Sequence, residues 1–590
     1  MPKKTCAIII AEYLAKQNVT KVFDVAGGMI AYIEDAVSRT RGIECAPCHH
    51  EQACGFSAEG YARVSGRAGV ALATSGPGAT NLITAIGSCF FDSTPTVFIT
   101  GQVHVKNLRA DERVRQSGFQ ETDIVSLVCP ITKYAKQITR PEQMSYELEK
   151  AFFLCQNGRP GPVLLDIPIN IQRTEVNLSA CRHFLNSPEH RRLLARKPPN
   201  ISRVLVGKID RLLAKSRAPI VLIGGGVRLS QTMDAFRSFV ERNHLPVVSS
   251  LMGLDGFSGT HSQFVGFIGS YGNRHANIAL ANSDLIIALG SRLDVRQTGD
   301  ARRFAKHATV IQVDVDRFSF GPNVQPDISI HAELKDFFRA LSAMKTPDKP
   351  EWSAFIRNVT TEFGRDVSRT RGVDPRALLS ELTKRATSNA IISADVGNHQ
   401  MWLARAWRTK PGQRMLFSGG MGSMGFGLPA AIGAFFAKPK SENILICGDG
   451  GFQMNLQELE TVKRNRIPIK IFLFNNKSLG MVREFQDQYM KKNHQSTVRG
   501  YSVPDLKKIA SAYGLSYVRI GPKTRHAAAV QAVLRSKRAV LCEVDVDINT
   551  NIGEKIMFGH ALDDQYPFLN RRQQSRLNRL KLRFKAGSKA

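Results

Sequence analysis

Short apolar runs alternate with helix-like stretches along most of the chain. Residues 69–74 form one such run, and the Ser75-Gly76-Pro77-Gly78 turn follows it. A helix pattern over residues 79–89 and a second apolar run at residues 96–100 come next. The order strand, turn, helix, strand is typical of a parallel-sheet unit. We therefore predict that the chain begins with an α/β domain.

The same alternation recurs in two later blocks. The second block contains apolar runs at residues 219–223, 284–289 and 310–315, and the first of these leads into three consecutive glycines. Polar stretches at about residues 170–200 and 345–350 separate the blocks. We predict an α/β protein with three doubly wound parallel-sheet domains. The predicted regions are 1–175, 201–345 and 372–550, followed by a basic C-terminal tail at 551–590.

The third block carries the sharpest chemical signal. An apolar run at residues 443–447 ends in Gly448-Asp449-Gly450, and another at 469–474 ends in Asn475-Asn476, with 24 residues between Gly450 and Asn475. A right-handed crossover places the ends of two such strands at the same sheet edge, where ligands gather. Asp449 and Asn476 would then offer oxygen ligands to a hard cation such as Mg²⁺, which is commonly shared with phosphates.

Composition and the N-terminal sequence argue against a membrane protein and against a secreted protein. The chain has 590 residues, and no apolar run reaches the length of about 18 residues that a membrane-spanning helix needs. The ten cysteines show no framework spacing, and an acid and a lysine interrupt the first apolar stretch, which argues against a secretory signal. These features favour a cytoplasmic protein with reduced thiols and no membrane partner.

The net charge of +31 is the one unusual global property. Residues 571–590 contribute eight Lys or Arg side chains and no acid. The remaining excess is spread along the chain without an aromatic-interleaved basic module, which argues against nucleic acid as a partner. A positive field also suits anionic substrates and a diphosphate.

The segment from Gly448 to Asn476, followed by Leu479-Gly480-Met481-Val482, resembles the acetolactate synthase large-subunit family of thiamine-diphosphate enzymes. The resemblance covers about residues 5–550. It implies thiamine diphosphate and Mg²⁺ as cofactors. The implied metal ligands are Asp449, Asn476 and the backbone carbonyl of Ser478. The implied contacts to thiamine diphosphate are Gly397, Asn398, His399, Gln400, Gly448, Gly450, Gly451 and Met481.

Two other segments match the family's cofactor-activating residues. His49-His50-Glu51-Gln52-Ala53, with the Thr74 to Asn81 segment, resembles the pyrimidine-binding domain and implies Glu51 as the activating acid. The Ser418 to Gly427 segment resembles the part that bends the cofactor. There Met424 would be the apolar wedge and Gly422 the carbonyl acceptor for the amino group. Glu51 and Asp449 belong to different blocks. The resemblance implies that one cofactor is held between two chains, with Glu51 from one and Asp449 from the other, and so a homodimer or homotetramer.

The substrate side follows from a third match. Phe119-Gln120-Glu121 and Pro130-Ile131-Thr132-Lys133 resemble the stretch that contributes Phe119, Gln120 and Lys133 to the reaction chamber. Between Gln102 and Phe119 the chain carries about six more residues than the usual synthase. The basic side chains of this loop, residues 104–116, either face solvent or recognise a phosphate on the acceptor.

The middle block resembles the family's flavin-binding domain. The matching positions are Gly224, Gly225, Gly226, Arg292, Arg296 and Asp314. Val295 replaces the usual acid, and His331-Ala332 stands where Gly-Asp is common. The resemblance implies FAD in a mostly structural role.

We therefore predict a transferase that decarboxylates pyruvate and joins the remaining acyl unit to a second 2-oxo acid, as in branched-chain amino acid biosynthesis. The family also implies a small regulatory subunit as a possible partner. Residues 559–569 resemble synthase-like proteins of surface-polysaccharide clusters, so a keto-sugar nucleotide is an alternative acceptor. A simple decarboxylase and a non-enzymatic regulatory or nucleic-acid-binding protein are further alternatives. Intact Glu51, Asp449 and Asn476 argue against the non-enzymatic one.

Overall fold

The computed structural model of the chain describes residues 3–111, 113–364 and 371–587. Its core consists of three six-stranded sheets in which all neighbouring strands are parallel. Helices cover both faces of each sheet, so the α/β, doubly wound fold class is confirmed. Because both faces are covered, the strands are nearly continuous apolar runs, such as Pro219–Ile223 and Leu285–Leu289, which are fully buried.

The first and third sheets share one topology. If the strands of each sheet are numbered in chain order, their spatial order across the sheet is 2-1-3-4-6-5. The first sheet, in spatial order, contains Glu44–Pro47, Lys21–Asp24, Gly69–Ala73, Thr96–Gln102, Val163–Pro168 and Tyr134–Gln137. The third contains Arg414–Leu416, Ile391–Ala394, Asn443–Gly448, Lys470–Asn475, Val540–Asp545 and Ser516–Ile520.

The middle sheet has the order 3-2-1-4-5-6. Its strands, in spatial order, are Phe264–Phe267, Val247–Ser249, Pro219–Ile223, Leu285–Leu289, Thr309–Asp314 and Ile328–His331. The order reverses between the first and fourth strands, and ligands of such sheets bind at this switch point. Two short antiparallel pairs complete the strands: Lys3–Thr5 with Glu175–Asn177, and Lys555–Ile556 with Gln565–Tyr566.

The α-helices alternate with these strands. Those around the first sheet are Cys6–Lys16, Ala31–Arg39, Glu51–Ser65, Pro77–Asn81, Ile83–Phe91, Ile124–Val128, Met144–Gln156 and Ile169–Arg173. Pro188–Ala195 precedes the middle helices Arg203–Lys215, Gly226–Leu229, Met233–Arg242, Arg274–Ala281, Val295–Thr298, Leu334–Ala340 and Pro350–Phe363. The last group is Pro375–Arg385, Asn398–Ala406, Gly427–Ala437, Asp449–Met454, Glu458–Arg464, Gly480–Tyr489, Leu506–Ala512, His526–Arg535 and Arg571–Gly587.

The first and third sheets are held together through one close helix pair. Glu51–Ser65 packs on Gly427–Ala437, and Ser57 Oγ donates a hydrogen bond of 3.0 Å to the carbonyl of Pro429. A Cβ at Gly433 would lie 1.9 Å from the carbonyl oxygen of Ser57, so only glycine permits this approach. The helix that begins at Glu51 is therefore fixed against the third sheet.

Two stretches differ from the expectation of unstructured polar sequence. The separator at residues 170–200 contains a strand and the helix Pro188–Ala195. The basic tail forms the helix Arg571–Gly587, in which Leu577 is buried and Phe584 packs on Trp352 and Phe355. Apolar residues three and four positions apart stabilise this helix through its contact with the helix Pro350–Phe363. The domain boundaries themselves remain predictions.

Candidate functional site

Asp449 begins a helix directly after the third strand of the last sheet and is buried. Its Oδ1 accepts a hydrogen bond of 3.0 Å from the hydroxyl of Tyr501, and its Oδ2 is buried without a protein partner in the described chain. Burial raises the pKa of this carboxyl to about 6, and the hydrogen bond from Tyr501 opposes the rise. An uncompensated buried oxygen of this kind is what a bound cation would satisfy.

Asn476 and Ser478 lie at the end of the neighbouring strand. Gly448 is paired with Phe474 in the sheet, so both strand ends meet at one edge. The amide of Ser478 donates to Oδ1 of Asn476 at 3.4 Å, and the Ser478 hydroxyl is buried without a partner among the described residues. The structure thus brings the three predicted metal ligands together. One carboxylate, one amide and one carbonyl suit Mg²⁺ that completes its shell with phosphate oxygens and water.

The segment Gly397 to Gln400 opens the helix after the first strand of the same sheet. Three of its side-chain atoms, Asn398 Oδ1, His399 Nε2 and Gln400 Nε2, are buried without protein partners in the described chain. Burial lowers the pKa of His399 to about 4, so its ring is neutral at pH 7. Gln400 Nε2 can donate to an anionic oxygen, and the free backbone amides of a helix N-terminus bind anions, so this segment fits a diphosphate.

Glycines allow close packing at this edge. A Cβ at Gly448 would lie 2.8 Å from Nδ1 of His399, and one at Gly451 would lie 2.2 Å from Oδ1 of Asp395. At Gly450 the added atom would lie 2.4 Å from Leu479 Cδ2. No side chain fits at these three positions without displacing a neighbour.

The loop that carries Met424 approaches the same edge. Met424 Cε lies 3.3 Å from the position of a Cβ at Gly450. Gly422 has φ of +66° and is exposed, so its carbonyl is available. Asp395 fixes the loop, because its carboxylate accepts from the amides of Gly425 at 3.1 Å and Gly427 at 2.9 Å.

Sequence reasoning missed Asp395 and Tyr501, although both support predicted residues. Burial raises the pKa of Asp395 to about 6, while three backbone amides act in the opposite direction. Its position directly after an apolar strand was an available signal. No sequence signal marked Tyr501, because it lies more than fifty residues after Asp449 in an irregular segment. Met481, by contrast, packs partly buried against the core of the third sheet.

Glu51 stands at the N-terminus of the helix Glu51–Ser65 in the first sheet's domain. Its Oε2 accepts a hydrogen bond of 2.9 Å from Asn81 Nδ2, and its Oε1 lies 3.4 Å from the position of a Cβ at Gly78. The adjacent Gln52 accepts from Asn455 of the third block at 3.2 Å. The carboxylate is half-buried at the carboxyl edge of the first sheet, which is where ligands of such sheets bind.

The predicted substrate residues have different environments. Phe119 is 80% exposed. Gln120 has φ of +65° and packs on Gly76, where a Cβ would lie 2.9 Å from Gln120 Cβ. Lys133 donates to the carbonyls of Asn157 and Arg159, each at 2.7 Å, and burial lowers its pKa to about 8. These contacts are structural, and a catalytic role for Lys133 stays a prediction.

The inserted loop is organised by the carboxylate of Glu121. It accepts from the amides of Arg109 at 2.5 Å, Ser117 at 2.7 Å and Gly118 at 3.3 Å. The Arg113 guanidinium forms an exposed ion pair with Asp111 at 2.6 Å. This pairing favours the solvent-facing interpretation of Arg113 over phosphate recognition.

A cavity of about 1300 Å³ adjoins the switch point of the middle sheet and extends to the third block. Gly224 follows the first strand and Gly290 the fourth, and a Cβ at Gly224 would lie 2.1 Å from the Gly290 carbonyl oxygen. The cavity lining includes the predicted flavin positions and reaches Met401 and Gly422. The predicted positions along it are Gly224, Gly225, Gly226, Arg292, Arg296 and Asp314. Its volume and position suit a dinucleotide.

Comparisons with known proteins find similar sequences that cover all three blocks. Models of thiamine pyrophosphate enzymes match three segments: the N-terminal TPP binding domain at residues 4–127, the central domain at 206–341 and the C-terminal TPP binding domain at 395–544. Acetolactate synthase 1, chloroplastic, of Nicotiana tabacum is 36% identical over 577 residues, which is 95% of this chain and 85% of that protein. The acetolactate synthase isozyme 2 large subunit of Escherichia coli is 35% identical over 546 residues, 92% of this chain and 96% of that protein.

A relative from an archaeon matches to the same extent. The probable acetolactate synthase large subunit of Methanocaldococcus jannaschii is 36% identical over 551 residues, 91% of each chain. None of the helices in the described ranges is long and apolar enough to cross a membrane.

Proposed function

The chain belongs to the acetolactate synthase large-subunit family of thiamine-diphosphate enzymes, and on this premise we propose that it decarboxylates pyruvate and joins the two-carbon unit to a second 2-oxo acid. The observation that carries the proposal is the buried carboxylate oxygen of Asp449, which has no partner among the described residues and lies at the same sheet edge as Asn476 and Ser478. The glycines at this edge let the backbone pack closely against His399, Leu479 and Asp395.

The cofactors are thiamine diphosphate, Mg²⁺ and FAD. Thiamine diphosphate supplies a nucleophilic carbon and an electron sink for the loss of CO₂. Asp449, Asn476 and the Ser478 carbonyl would hold Mg²⁺. The segment Gly397 to Gln400, with Gly448, Gly450, Gly451 and Met481, would hold the diphosphate.

Three residues would prepare the cofactor for reaction. Glu51 would hold a proton on the far nitrogen of the pyrimidine ring, as a positioned acid. Gly422 would accept a hydrogen bond from the amino group through its carbonyl. Met424 would support the bent form of the cofactor from below, since its Cε already lies beside Gly450.

On the substrate side, Gln120 would donate to a carboxylate or developing oxyanion. Phe119 would contribute its ring to the reaction chamber, and Lys133 would fix the loop around Asn157. A largely apolar chamber favours decarboxylation, in which charge is dispersed. FAD would fill the cavity at Gly224 to Gly226, with Arg292, Arg296 and Asp314 at its polar groups.

We also propose a cytoplasmic homodimer or homotetramer in which Glu51 of one chain faces Asp449 of another. Curated relatives are named large subunits, which supports a small regulatory subunit as partner.

Product analysis tests the function. The protein, supplied with thiamine diphosphate, Mg²⁺ and FAD, is incubated with pyruvate alone and then with pyruvate plus candidate acceptors. Mass spectrometry should detect acetolactate from pyruvate alone. Release of acetaldehyde as the main product would instead identify a simple decarboxylase, and coupling only to a keto-sugar would identify the other acceptor class.

A further inference from the structure

Glu484 connects two parts of the molecule that lie far apart in sequence. It lies on the inner side of the helix Gly480–Tyr489 and is 5% exposed. Its Oε1 accepts hydrogen bonds from Asn398 Nδ2 at 2.9 Å and from the amide of Ile552 at 2.8 Å. Its Oε2 accepts from Lys555 Nζ at 3.1 Å. A single buried carboxylate therefore joins the diphosphate segment to a C-terminal segment.

The contact between Glu484 and Asn398 fixes which end of the Asn398 side-chain amide points toward the carboxylate. Because Glu484 can only accept when ionised, Asn398 must direct its NH₂ group toward it. The Oδ1 atom, which is buried without a protein partner in the described chain, is the remaining end. Glu484 thus holds the first residue of this helix through the Asn398 amide, and the backbone amides of the helix start remain for anionic oxygens.

The C-terminal strap, residues 551–556, lies along the helix that begins at Asn398. Trp402 Nε1 donates to the carbonyl of Asn551 at 3.0 Å, and Arg405 Nη1 donates to that of Ile552 at 3.0 Å. Arg405 also forms an ion pair with Glu554. The strap is therefore attached to the same helix whose first residue Glu484 holds.

The strap continues into the middle domain. The amide of Ile556 donates to the carbonyl of Ser270 at 2.8 Å, and the amide of Ser270 donates to the carbonyl of Arg296 at 2.6 Å. Arg296 lines the large cavity. A continuous hydrogen-bonded path thus runs from Asn398 through Glu484 and the strap to the backbone at Arg296.

Stability alone is a poor explanation for this ion pair. Desolvation largely offsets the attraction between buried charges, so an apolar pair of similar volume is often as stable. Burial raises the pKa of Glu484, whereas Lys555 and the Ile552 amide oppose the rise. What a buried ion pair supplies better than an apolar pair is a fixed direction for its hydrogen-bond partners.

We propose that Glu484 is a positioning residue, whose buried pair with Lys555 holds the side-chain amide of Asn398, and with it the helix start at the diphosphate site, in a fixed orientation and clamps the strap. The inference rests on the proposed function, because the orientation of Asn398 bears on cofactor binding only if thiamine diphosphate occupies this edge.

Three variants test the proposal. Cofactor affinity reports on the positioning of Asn398, and hydrogen exchange reports on the clamping of the strap. In Glu484→Gln the Oε1 acceptor is kept, but an NH₂ group meets Lys555 in place of Oε2. In Lys555→Met the ammonium is removed and the carboxylate is left buried and unpaired. The double variant Glu484→Gln/Lys555→Met restores a neutral pair. Glu460→Gln, which removes an exposed partner of Lys463 in the same domain, is the matched control.

The dissociation constant for thiamine diphosphate with Mg²⁺ is measured by calorimetry, and kcat and KM for pyruvate are measured separately. We expect each single variant to bind the cofactor about 10-fold more weakly, the scale for losing an outer hydrogen bond to a ligand-holding group. The double variant should recover most of the loss, and the control should match the wild type. Hydrogen exchange in the cofactor-free protein should show faster exchange of the strap amides in both single variants.

Wild-type cofactor affinity in both single variants would overturn the positioning role. So would a lower melting temperature with an unchanged dissociation constant. Unchanged strap exchange would overturn the clamp. Failure of the wild type itself to bind thiamine diphosphate would reject the proposed function instead, and the exchange measurement would still decide the clamp.

Discussion

Tyr501 donates its hydroxyl hydrogen to Oδ1 of Asp449 across 3.0 Å, which leaves Oδ2 of the same carboxylate buried without a protein partner in the described chain. One oxygen is thus fixed by the protein, and the other is directed to whatever binds at the sheet edge. This division of roles explains why a lone carboxylate remains so deeply buried.

Asp449→Ala should weaken Mg²⁺ and thiamine diphosphate together, because the ion joins the protein to the diphosphate. Calorimetric titration of the cofactor with and without Mg²⁺ measures the effect. Tyr501→Phe keeps the carboxylate and should cost about 10-fold or less in affinity. Equal affinity in wild type and Asp449→Ala would contradict the metal assignment.

Glu51→Gln should bind thiamine diphosphate yet react at least about 100-fold more slowly, the scale for a positioned acid–base group. Gln still accepts from Asn81, so the fold around it should be kept. Steady-state turnover on pyruvate and cofactor titration together make the measurement. Glu44→Gln, an exposed acid in the same domain, is the control. Near-normal turnover in Glu51→Gln would reject its role as activator.

The middle domain should carry FAD. Purified protein should show flavin absorbance, and added FAD should raise the melting temperature, as any ligand of the native state does. Arg292→Ala should reduce this shift, because Arg292 lines the cavity. Arg302→Ala, an exposed residue paired with Asp300, should leave it unchanged. A colourless protein with no thermal shift would remove the flavin from the site.

Deletion of residues 571–590 should leave turnover on pyruvate within a few-fold. It should lower the melting temperature, however, because Leu577 and Phe584 pack on Trp352 and Phe355. A variant with Arg572, Arg579 and Arg583 changed to Ala keeps the helix and removes exposed charge. Any nucleic-acid binding should be lost in this variant and should weaken steeply with salt. Loss of catalysis on deletion would mean that the helix contributes to the active site.

The strands were predictable because buried parallel strands are nearly continuous apolar runs. Pro219–Ile223 has the predicted bounds, and Thr96–Gln102 is two residues longer than predicted. The C-terminal helix was missed although Leu577, Leu580 and Phe584 are spaced as on one helix face. Its apolar positions are few among many charges, and the helix is stabilised by packing on a distant helix.

The site was predictable where function requires a local motif, as at Asp449 and the glycines around it. The residues that hold the site residues in place were not predictable, because their hydrogen-bond partners are remote in sequence. Asp395 holds amides thirty and thirty-two residues away, and Glu484 holds Asn398 and Ile552, which are 86 and 68 residues away. No local pattern marks such side chains, since only the tertiary structure brings their partners together.

Acceptor choice is expected to depend on Phe485. Glu484-Phe485-Gln486 resembles a family segment in which Trp is common at the middle position, and the resemblance implies that this Trp favours 2-oxobutyrate as second substrate. Phe485 is 38% exposed, and its ring centroid lies 4.8 Å from Tyr489 and 6.1 Å from Phe558. Its ring is smaller than that of Trp and lacks an N–H donor, so beside an acceptor it would leave more space and make one polar contact fewer. We therefore expect little preference for 2-oxobutyrate over pyruvate in this protein.

Competition between pyruvate and 2-oxobutyrate, with both products quantified by mass spectrometry, measures the preference directly. Phe485→Trp should raise the share of the 2-oxobutyrate product by about 10-fold, the scale for one added apolar contact in a pocket. Phe318→Trp, at an exposed ring in the middle domain, should leave the ratio unchanged. A strong 2-oxobutyrate preference in the wild type would show that another residue forms the wall. An unchanged ratio in Phe485→Trp would place the ring outside the acceptor pocket, because a larger side chain in contact with the acceptor must alter its binding.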